Sequence, residues 1–293
     1  MGPAHRNRFP CTCHTNYKKS KKQVEAFING YNEHVNDEFD GLVPAQMHTL
    51  LYDTFGERSI LKLKKLSETQ YGTVPILNQV KYLANSILNK KEVTLTKTGA
   101  LPTKIVFDVY ENGGLKEEHI EQGYVKLRKE ADSISVQLSN ILLQLTGIVK
   151  KRSNKLSITK KGISLINDND RLLPLLIKTF CTKFNWAYFD RYKDEKWGQV
   201  GFGFSLVLLS RYGGIRRKDT FYAEKYYTAF PRLLDLHPYN RYVESSAFGA
   251  YGLRTFKKIL TVFGLVDYER TDLLGPHHVV KTELFDALIE LKI

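Results

Sequence analysis

Two cysteines and a histidine near the amino terminus, Cys11, Cys13 and His14, are of the residue types that bind metal ions. Thiolates and imidazoles are preferred ligands of Zn²⁺, and a closed structural zinc site is tetrahedral, with four such groups. Both cysteines can bind one ion at this spacing, but His14 directly follows Cys13, which strains joint coordination. Three candidates leave one position open unless His5 or a second chain supplies a ligand. We therefore expect neither a stoichiometric metal ion nor any other cofactor.

The stretch around these cysteines, "RNRFPCTCHTNYKKSKK", resembles the SEC-C motif, the short zinc knuckle found at the end of the SecA translocase and in many uncharacterised bacterial proteins. It keeps both cysteines and the element Tyr17-Lys18-Lys19 of that motif. Ser20 and Lys21 stand where the motif has its second pair of ligands, and neither residue type binds zinc. The resemblance therefore implies a degenerate knuckle, and we expect residues 1–22 to form a flexible basic tail.

Three further segments look like parts of bacterial proteins that carry the SEC-C motif. The remaining domains of those proteins are winged-helix-like, and their activity is not established. The resemblance therefore implies a winged-helix-like fold and supplies no catalytic residues. The segments are "FDGLVPAQMHTLLYDTFG", "VPILNQVKYLANSI" and "VTLTKTGALPTKIV".

A second group of residues, in "IVKKRSNKLSITKKG", combines cations with turn-forming residues and could bind phosphate. Apolar residues alternate on each side of Ser153-Asn154, a pair with the turn chemistry of a β-hairpin. Each phosphate that Lys or Arg neutralises releases condensed counterions, so a hairpin of this charge suits a nucleic-acid backbone. The alternative is a solvated hairpin on a domain that binds protein. The cations are Lys150, Lys151, Arg152 and Lys155 in the hairpin, and Lys160 and Lys161 behind it.

The segment before the hairpin predicts a helix from about Ser133 to Thr146, because apolar residues recur there at helical spacing. Gly147 is placed to end this helix. Its hydroxyl and amide side chains suit base edges and phosphates. The helix carries no Lys or Arg, whereas helices that read DNA usually have one. The candidate contacts are Ser135, Gln137, Asn140 and Gln144.

These residues require an architecture that positions them. A helix followed by a hairpin is the second half of a winged helix, and helices expected near Pro102–Glu111 and Leu115–Gly123 supply its first half. The C-terminal part repeats the plan with a long helix, Gly264, a hairpin and a final helix capped by Thr282. We therefore expect a mainly α-helical, α+β fold with small β-hairpins, made of two winged-helix-type units plus accessory helices.

The expected division of the chain follows from these elements. Residues 1–22 are the tail, 23–166 are an N-terminal helical segment with the first winged helix, and 167–293 are an aromatic-rich helical segment with the second. Amphipathic helices between Val24 and Glu92 need a partner face and run directly into the first unit, so we expect them to pack on it. The aromatic side chains of residues 186–204 are expected to pack in a core.

Composition restricts the class of protein. A chain of 293 residues with 42% apolar residues can bury a substantial core, and a formal net charge of +13 favours polyanions as partners. No apolar stretch approaches the roughly 20 residues of a membrane span. The amino terminus lacks the apolar core of a signal peptide, so we expect a cytoplasmic protein without membrane binding. Three cysteines are too few for a disulfide framework.

The leading hypothesis is a winged-helix protein that binds DNA or RNA through its first wing. The second wing carries Asp267, Glu269 and Asp272, which phosphate would repel, so we expect that unit to form a domain contact or a homodimer interface. The alternative is a protein-interaction or scaffold module without nucleic-acid binding. A third hypothesis is an unrecognised enzyme, although no catalytic triad, Cys/His pair or carboxylate pair stands out in the sequence.

Overall fold

A computed structural model describes residues 21, 23–26, 28, 30–192, 194–235, 242–271 and 275–292. The fold is mainly α-helical with small antiparallel sheets, as expected from the sequence. Most of the expected tail, with Cys11, Cys13 and His14, lies outside the described residues. The α-helices are α1 (Pro44–Tyr52), α2 (Glu68–Gly72), α3 (Pro75–Asn89), α4 (Thr103–Asn112), α5 (Glu118–Glu121), α6 (Ile134–Leu145), α7 (Lys160–Ile166), α8 (Asn169–Thr182), α9 (Phe202–Tyr212), α10 (Asp219–Ala229), α11 (Arg232–Asp235), α12 (Val243–Tyr251) and α13 (Glu283–Leu288).

The strands are short, and each sheet is antiparallel. Single 3₁₀ turns cover Asp37–Phe39, Glu130–Asp132 and Trp186–Phe189, and α12 continues into a π-helix, Gly252–Leu260. The strands are β1 (Leu61–Leu63), β2 (Val93–Thr94), β3 (Val149–Arg152), β4 (Lys155–Ile158), β5 (Arg217–Lys218), β6 (Val266–Arg270), β7 (His277–Lys281) and β8 (Ile289–Leu291).

The first unit, residues 75–158, runs in the order α3, β2, α4, α5, α6 and the hairpin β3–β4, and its sheet has the order β2-β4-β3. The predicted helix before the hairpin is confirmed as α6. Ser133 caps it, because its Oγ accepts a hydrogen bond from the N–H of Val136 at 3.2 Å. Ser153 and Asn154 both have positive φ, as a two-residue hairpin turn requires, so the predicted hairpin is confirmed.

The helix expected near Leu115–Gly123 forms only as the single turn α5. Glu117 precedes that turn in an extended conformation. Its carboxylate accepts hydrogen bonds from the backbone N–H groups of Ile134 at 3.1 Å and Ser135 at 3.0 Å. Glu117 thus satisfies the first turn of α6, and this tertiary contact holds the residue outside any helix of its own.

The second unit repeats the order of the first, with α9, β5, α10, α12 with the π-helix, and the hairpin β6–β7. Its sheet has the order β5-β7-β6, which corresponds to β2-β4-β3. In each unit a threonine caps the helix after the hairpin. Thr159 Oγ1 donates to the carbonyl of Gly147 at 2.8 Å, and Thr282 Oγ1 donates to the carbonyl of Gly264 at 2.8 Å. Both glycines have a φ of +73°, a conformation that glycine adopts readily.

The part of this segment from residue 37 to β1 packs on the second unit and not, as expected, on the first, whereas α2 does contact α3 of the first unit. Helix α1 contacts α9, and β1 pairs with β8, with Leu61 opposite Leu291. The physical reason lies in α9. Every residue from Phe202 to Leu209 is buried, so this helix needs apolar neighbours on all sides, and α1 supplies one of them.

Asp40 adds a polar anchor between this segment and the second unit. Its carboxylate accepts hydrogen bonds from Lys225 Nζ at 2.6 Å, Arg211 Nη1 at 3.0 Å and the Tyr212 hydroxyl at 3.1 Å. Burial alone would raise the pKa of Asp40, but these partners lower it below its ordinary value.

The buried apolar side chains form one continuous core that extends through both units. The aromatic segment contributes to it as expected, because Trp186, Trp197, Phe202 and Phe204 are buried, although Tyr188 is exposed. Within the described ranges, no helix has both the length and the apolar character needed to cross a membrane.

Candidate nucleic-acid interface

The basic hairpin presents three cations in a row. Lys150, Lys151 and Arg152 lie on β3, the edge strand of its sheet, and all three are exposed. Across the turn, Lys155 Nζ donates to the carboxylate of Glu92 at 2.8 Å, a hydrogen bond that lowers the pKa of Glu92. The three cations of β3 form no ion pair with any carboxylate in the described part of the chain, so their charge remains available to an anion.

Strand β2 brings further cations to this hairpin. Asn154 Nδ2, at the hairpin tip, donates to the carbonyls of Leu95 at 3.0 Å and Thr96 at 3.1 Å. The turn of residues 96–99 therefore lies beside the tip, with Lys97 exposed in it. Sequence reasoning predicted the strand but not its pairing with β4, so it missed these residues. The exposed cations that flank β2 are Lys90, Lys91 and Lys97.

A third part of the chain joins the same region through Glu130. This buried carboxylate accepts hydrogen bonds from the N–H of Leu101 at 2.6 Å and from Asn140 Nδ2 at 2.7 Å. It ties the segment between α5 and α6 to the start of α4 and to α6 itself. The exposed cations next to these contacts are Lys104, Arg128 and Lys129. No motif or spacing in the sequence indicated them, because the contacts of Glu130 are not local.

The polar residues predicted on α6 divide into two pairs. Ser135 and Asn140 are buried: Ser135 Oγ donates to the carbonyl of Leu115, and Asn140 holds Glu130 and accepts from Gln144 Nε2 at 3.0 Å. The side chains of Ser135 and Asn140 thus form their hydrogen bonds within the protein and not with a ligand. Gln137 and Gln144 are half-buried, so they are the two predicted α6 contacts that reach the surface.

Lys160 and Lys161 are exposed in the first turn of α7. Positive charge is unfavourable at this end of a helix, where the macrodipole favours anions. The helix is capped instead by Thr159, whose Oγ1 accepts a hydrogen bond from the N–H of Gly162 at 2.9 Å. The two lysines therefore do not stabilise α7 through its dipole, and both can contact an anion.

The second unit has a different electrostatic character. Asp267 and Glu269 are exposed on β6, and Glu269 lies 3.5 Å from Arg216. Asp272 lies outside the described residues. Strand β6 also carries Arg270, so its formal net charge is −1, whereas that of β3 is +3.

Metal and thiol chemistry find little support in the described part of the chain. No group of three or more His, Cys, Asp or Glu side chains is arranged there to hold a metal ion. Burial raises the pKa of the Cys181 thiol, which disfavours the nucleophilic thiolate.

Comparison with known proteins concerns the first unit. A family model described as the Y4jL N-terminal domain matches residues 72–171, which are 100 of the 293 residues. The match begins just before α3, includes the basic hairpin and ends in α8, and it confirms neither the SEC-C resemblance nor a winged-helix family. No curated protein and no solved structure matches the chain.

Proposed function

We propose that residues 72–171 form a winged helix that binds nucleic acid, mainly through the phosphate backbone. The observation that carries this proposal is that three parts of the chain with exposed cations are joined to one another: the basic hairpin, the segment around β2 and the segment before α6. Hydrogen bonds of Asn154 and Glu130 hold these parts together. The cations are Lys90, Lys91, Lys97, Lys104, Arg128, Lys129, Lys150, Lys151 and Arg152.

The element order supports the same proposal. In a winged helix, the helix before the hairpin enters a groove and the hairpin lies along the backbone. Here that helix is α6, and it offers only Gln137 and Gln144 to a base edge. The exposed cations that could contact phosphate are more numerous, and they lie outside α6. Phosphate contacts position a protein and base contacts specify the sequence. We therefore expect binding with modest sequence preference.

Protection of an exposed strand edge is the competing explanation for the charge on β3. Lysines on an edge strand discourage pairing with other chains. That purpose would be served by Lys150, Lys151 and Arg152 alone. Lys97 and Arg128 lie on other segments and do not protect β3, so edge protection accounts for only part of the basic surface.

The test is a salt titration of binding to duplex DNA, single-stranded DNA and structured RNA. Replacing Lys150, Lys151 and Arg152 together with Ala should weaken binding to all sequences. For duplex DNA, the slope of log affinity against log salt should decrease by about 0.9 for each phosphate that the variant no longer neutralises. The matched control removes the same charge from exposed lysines elsewhere, by Ala substitution of Lys178, Lys183 and Lys196, and should keep the original slope.

Wild-type affinity and salt slope in the hairpin variant, with an unchanged circular dichroism spectrum, would contradict the proposal.

The scaffold alternative would then be the better one, and one observation favours it. Strands β3 and β6 are both edge strands, and they carry opposite charge. Pairing of these edges between two copies would appear in light scattering as a mass that rises with concentration and falls with salt.

A further inference from the structure

A cleft of about 760 Å³ lies between the two units. One wall is formed by α5 and the start of α6, where Ile134 and Leu138 face the cleft. The opposite wall is the π-helix. Aromatic side chains, among them Phe184 and Phe189, line the space between the walls. A volume of this size at the boundary between two units is typical of small-molecule sites, which hold about 300–1,000 Å³.

Buried hydrogen bonds of Arg254 hold the π-helical wall in place. The guanidinium of Arg254 is fully buried, binds both carboxylate oxygens of Asp190 and donates to the carbonyls of Asp194 and Trp197. π-Helical segments are rare, and they occur frequently at functional sites. Leu253 and Lys257, one turn apart, line the cleft from this wall. The position of this wall is therefore set by contacts within the protein.

The charged side chains around the cleft are mostly engaged by protein partners. The carboxylate of Glu117 accepts the hydrogen bonds that cap α6, and Glu118 accepts from Gln122 Nε2 at 2.9 Å. Lys116 pairs with Glu111 at 2.7 Å, and Lys258 Nζ donates to Asp190 at 3.1 Å. Burial lowers the pKa of Lys258, although Asp190 opposes that shift.

Lys257 differs from these groups. Its side chain is exposed at the cleft, and it has no ion-pair partner among the residues that the structure describes. The cleft thus combines an apolar, aromatic interior with a cation on the π-helical wall, Lys257, that forms no ion pair with the described residues, while the carboxylates of Glu117 and Glu118 on the opposite wall are held by hydrogen bonds. A complementary ligand has an apolar body and one negative charge.

We propose that this cleft binds a small amphipathic anion, a molecule whose aliphatic or aromatic body lies against the apolar walls and whose carboxylate or sulfonate pairs with Lys257. The site differs from the basic surface of the first unit, and the proposal does not depend on nucleic-acid binding. Because Trp186 also lines the cleft, occupation should change tryptophan fluorescence as well as release or absorb heat.

The experiment compares decanoate with uncharged decanol by isothermal titration calorimetry on the full chain. We expect saturable decanoate binding that is about fivefold tighter than decanol binding, as one solvent-exposed charge contact provides. Lys257→Gln should weaken decanoate binding by about the same factor and abolish the preference for the charged ligand. Lys178→Gln, an exposed lysine of α8 outside the cleft, is the control and should bind both ligands as the wild type does.

Leu253→Trp provides a second variant, because a larger side chain at this half-buried position fills the cleft and should remove binding of both ligands. An absence of saturable decanoate binding to the wild type would overturn the proposal. So would a weakening in Lys257→Gln no larger than in Lys178→Gln, or undiminished binding to Leu253→Trp.

Discussion

Asp190 and Arg254 form a bidentate ion pair in the core, with both carboxylate oxygens 2.9 Å from guanidinium nitrogens. The Arg254 side chain is 0% exposed and that of Asp190 is 4% exposed. Burial of two charges is unfavourable by several kcal/mol per ion unless the geometry is good and the remaining donors are bonded. Here both conditions are met, and the pair fixes the π-helix to the loop that carries Asp190.

Replacing one partner of this pair should be strongly destabilising. Asp190→Asn leaves the guanidinium buried without a counter-charge, so we expect the free energy of unfolding to fall by about 3 to 5 kcal/mol. Urea unfolding followed by circular dichroism measures this change. The control is Asp286→Asn, which removes an exposed carboxylate 2.7 Å from Lys281 and should cost less than about 1 kcal/mol. Equal effects of the two variants would show that the buried pair contributes no more than a surface pair.

The same carboxylate should make stability depend on pH under acidic conditions. Burial would raise the pKa of Asp190, but hydrogen bonds and charges from Arg254 and Lys258 lower it below its ordinary value of 3.8. The unfolded chain then binds more protons than the folded one, so stability rises with pH in this range. The ionised carboxylate of Asp190 stabilises the fold fully at pH values above 3.8, the ordinary pKa. This stabilisation is lost as the pH falls through the lower pKa that Asp190 has in the folded protein. Urea midpoints measured below pH 5 should therefore fall more steeply for the wild type than for Asp190→Asn.

We expect Asn140 to stabilise the fold and not to contact bases. Asn140→Ala removes the donor 2.7 Å from the buried Glu130 carboxylate, and an unsatisfied buried group costs about 1 to 3 kcal/mol or more. Gln137→Ala, on the half-exposed face of the same helix, should change stability by less than about 0.5 kcal/mol. If α6 reads bases, Gln137→Ala should change sequence preference by about 1 to 3 kcal/mol. Thermal unfolding and a competition assay with different sequences separate the two roles.

Two cations outside the hairpin test whether the basic surface acts as one interface. Lys97→Ala and Arg128→Ala should each reduce the salt slope of duplex binding by about 0.9 if each residue contacts one phosphate. The control Lys183→Ala removes an exposed charge from the end of α8 and should leave the slope unchanged. Unchanged slopes in the first two variants would confine the interface to the hairpin.

The elements that the sequence predicted well are those with local signals. Helix α6 has a capping serine, a regular apolar spacing and a glycine that ends it, and all three act within a few residues of one another. The caps Thr159 and Thr282 are equally local, so both hairpin–helix junctions could be predicted.

The parts that sequence reasoning missed depend on contacts between distant residues. Lys97 lies beside the hairpin because β2 pairs with β4, and the segment of Arg128 lies beside Leu101 and α6 because Glu130 binds Leu101 and Asn140. The burial of Asn140 follows from the same network. No apolar spacing encodes that network, and a polar residue on a predicted helix looks the same whether its partner is solvent or a buried carboxylate.

The pairing of β1 with β8 has a consequence during synthesis of the chain. The first unit can assemble from neighbouring segments soon after they are made, but residues 37–66 dock on elements that extend to β8. At about 5 to 20 residues per second, Leu61 of β1 is made roughly 10 to 50 s before its partner Leu291. Until Leu291 has been added, this segment exposes apolar surface and an unpaired strand to other chains and to chaperones.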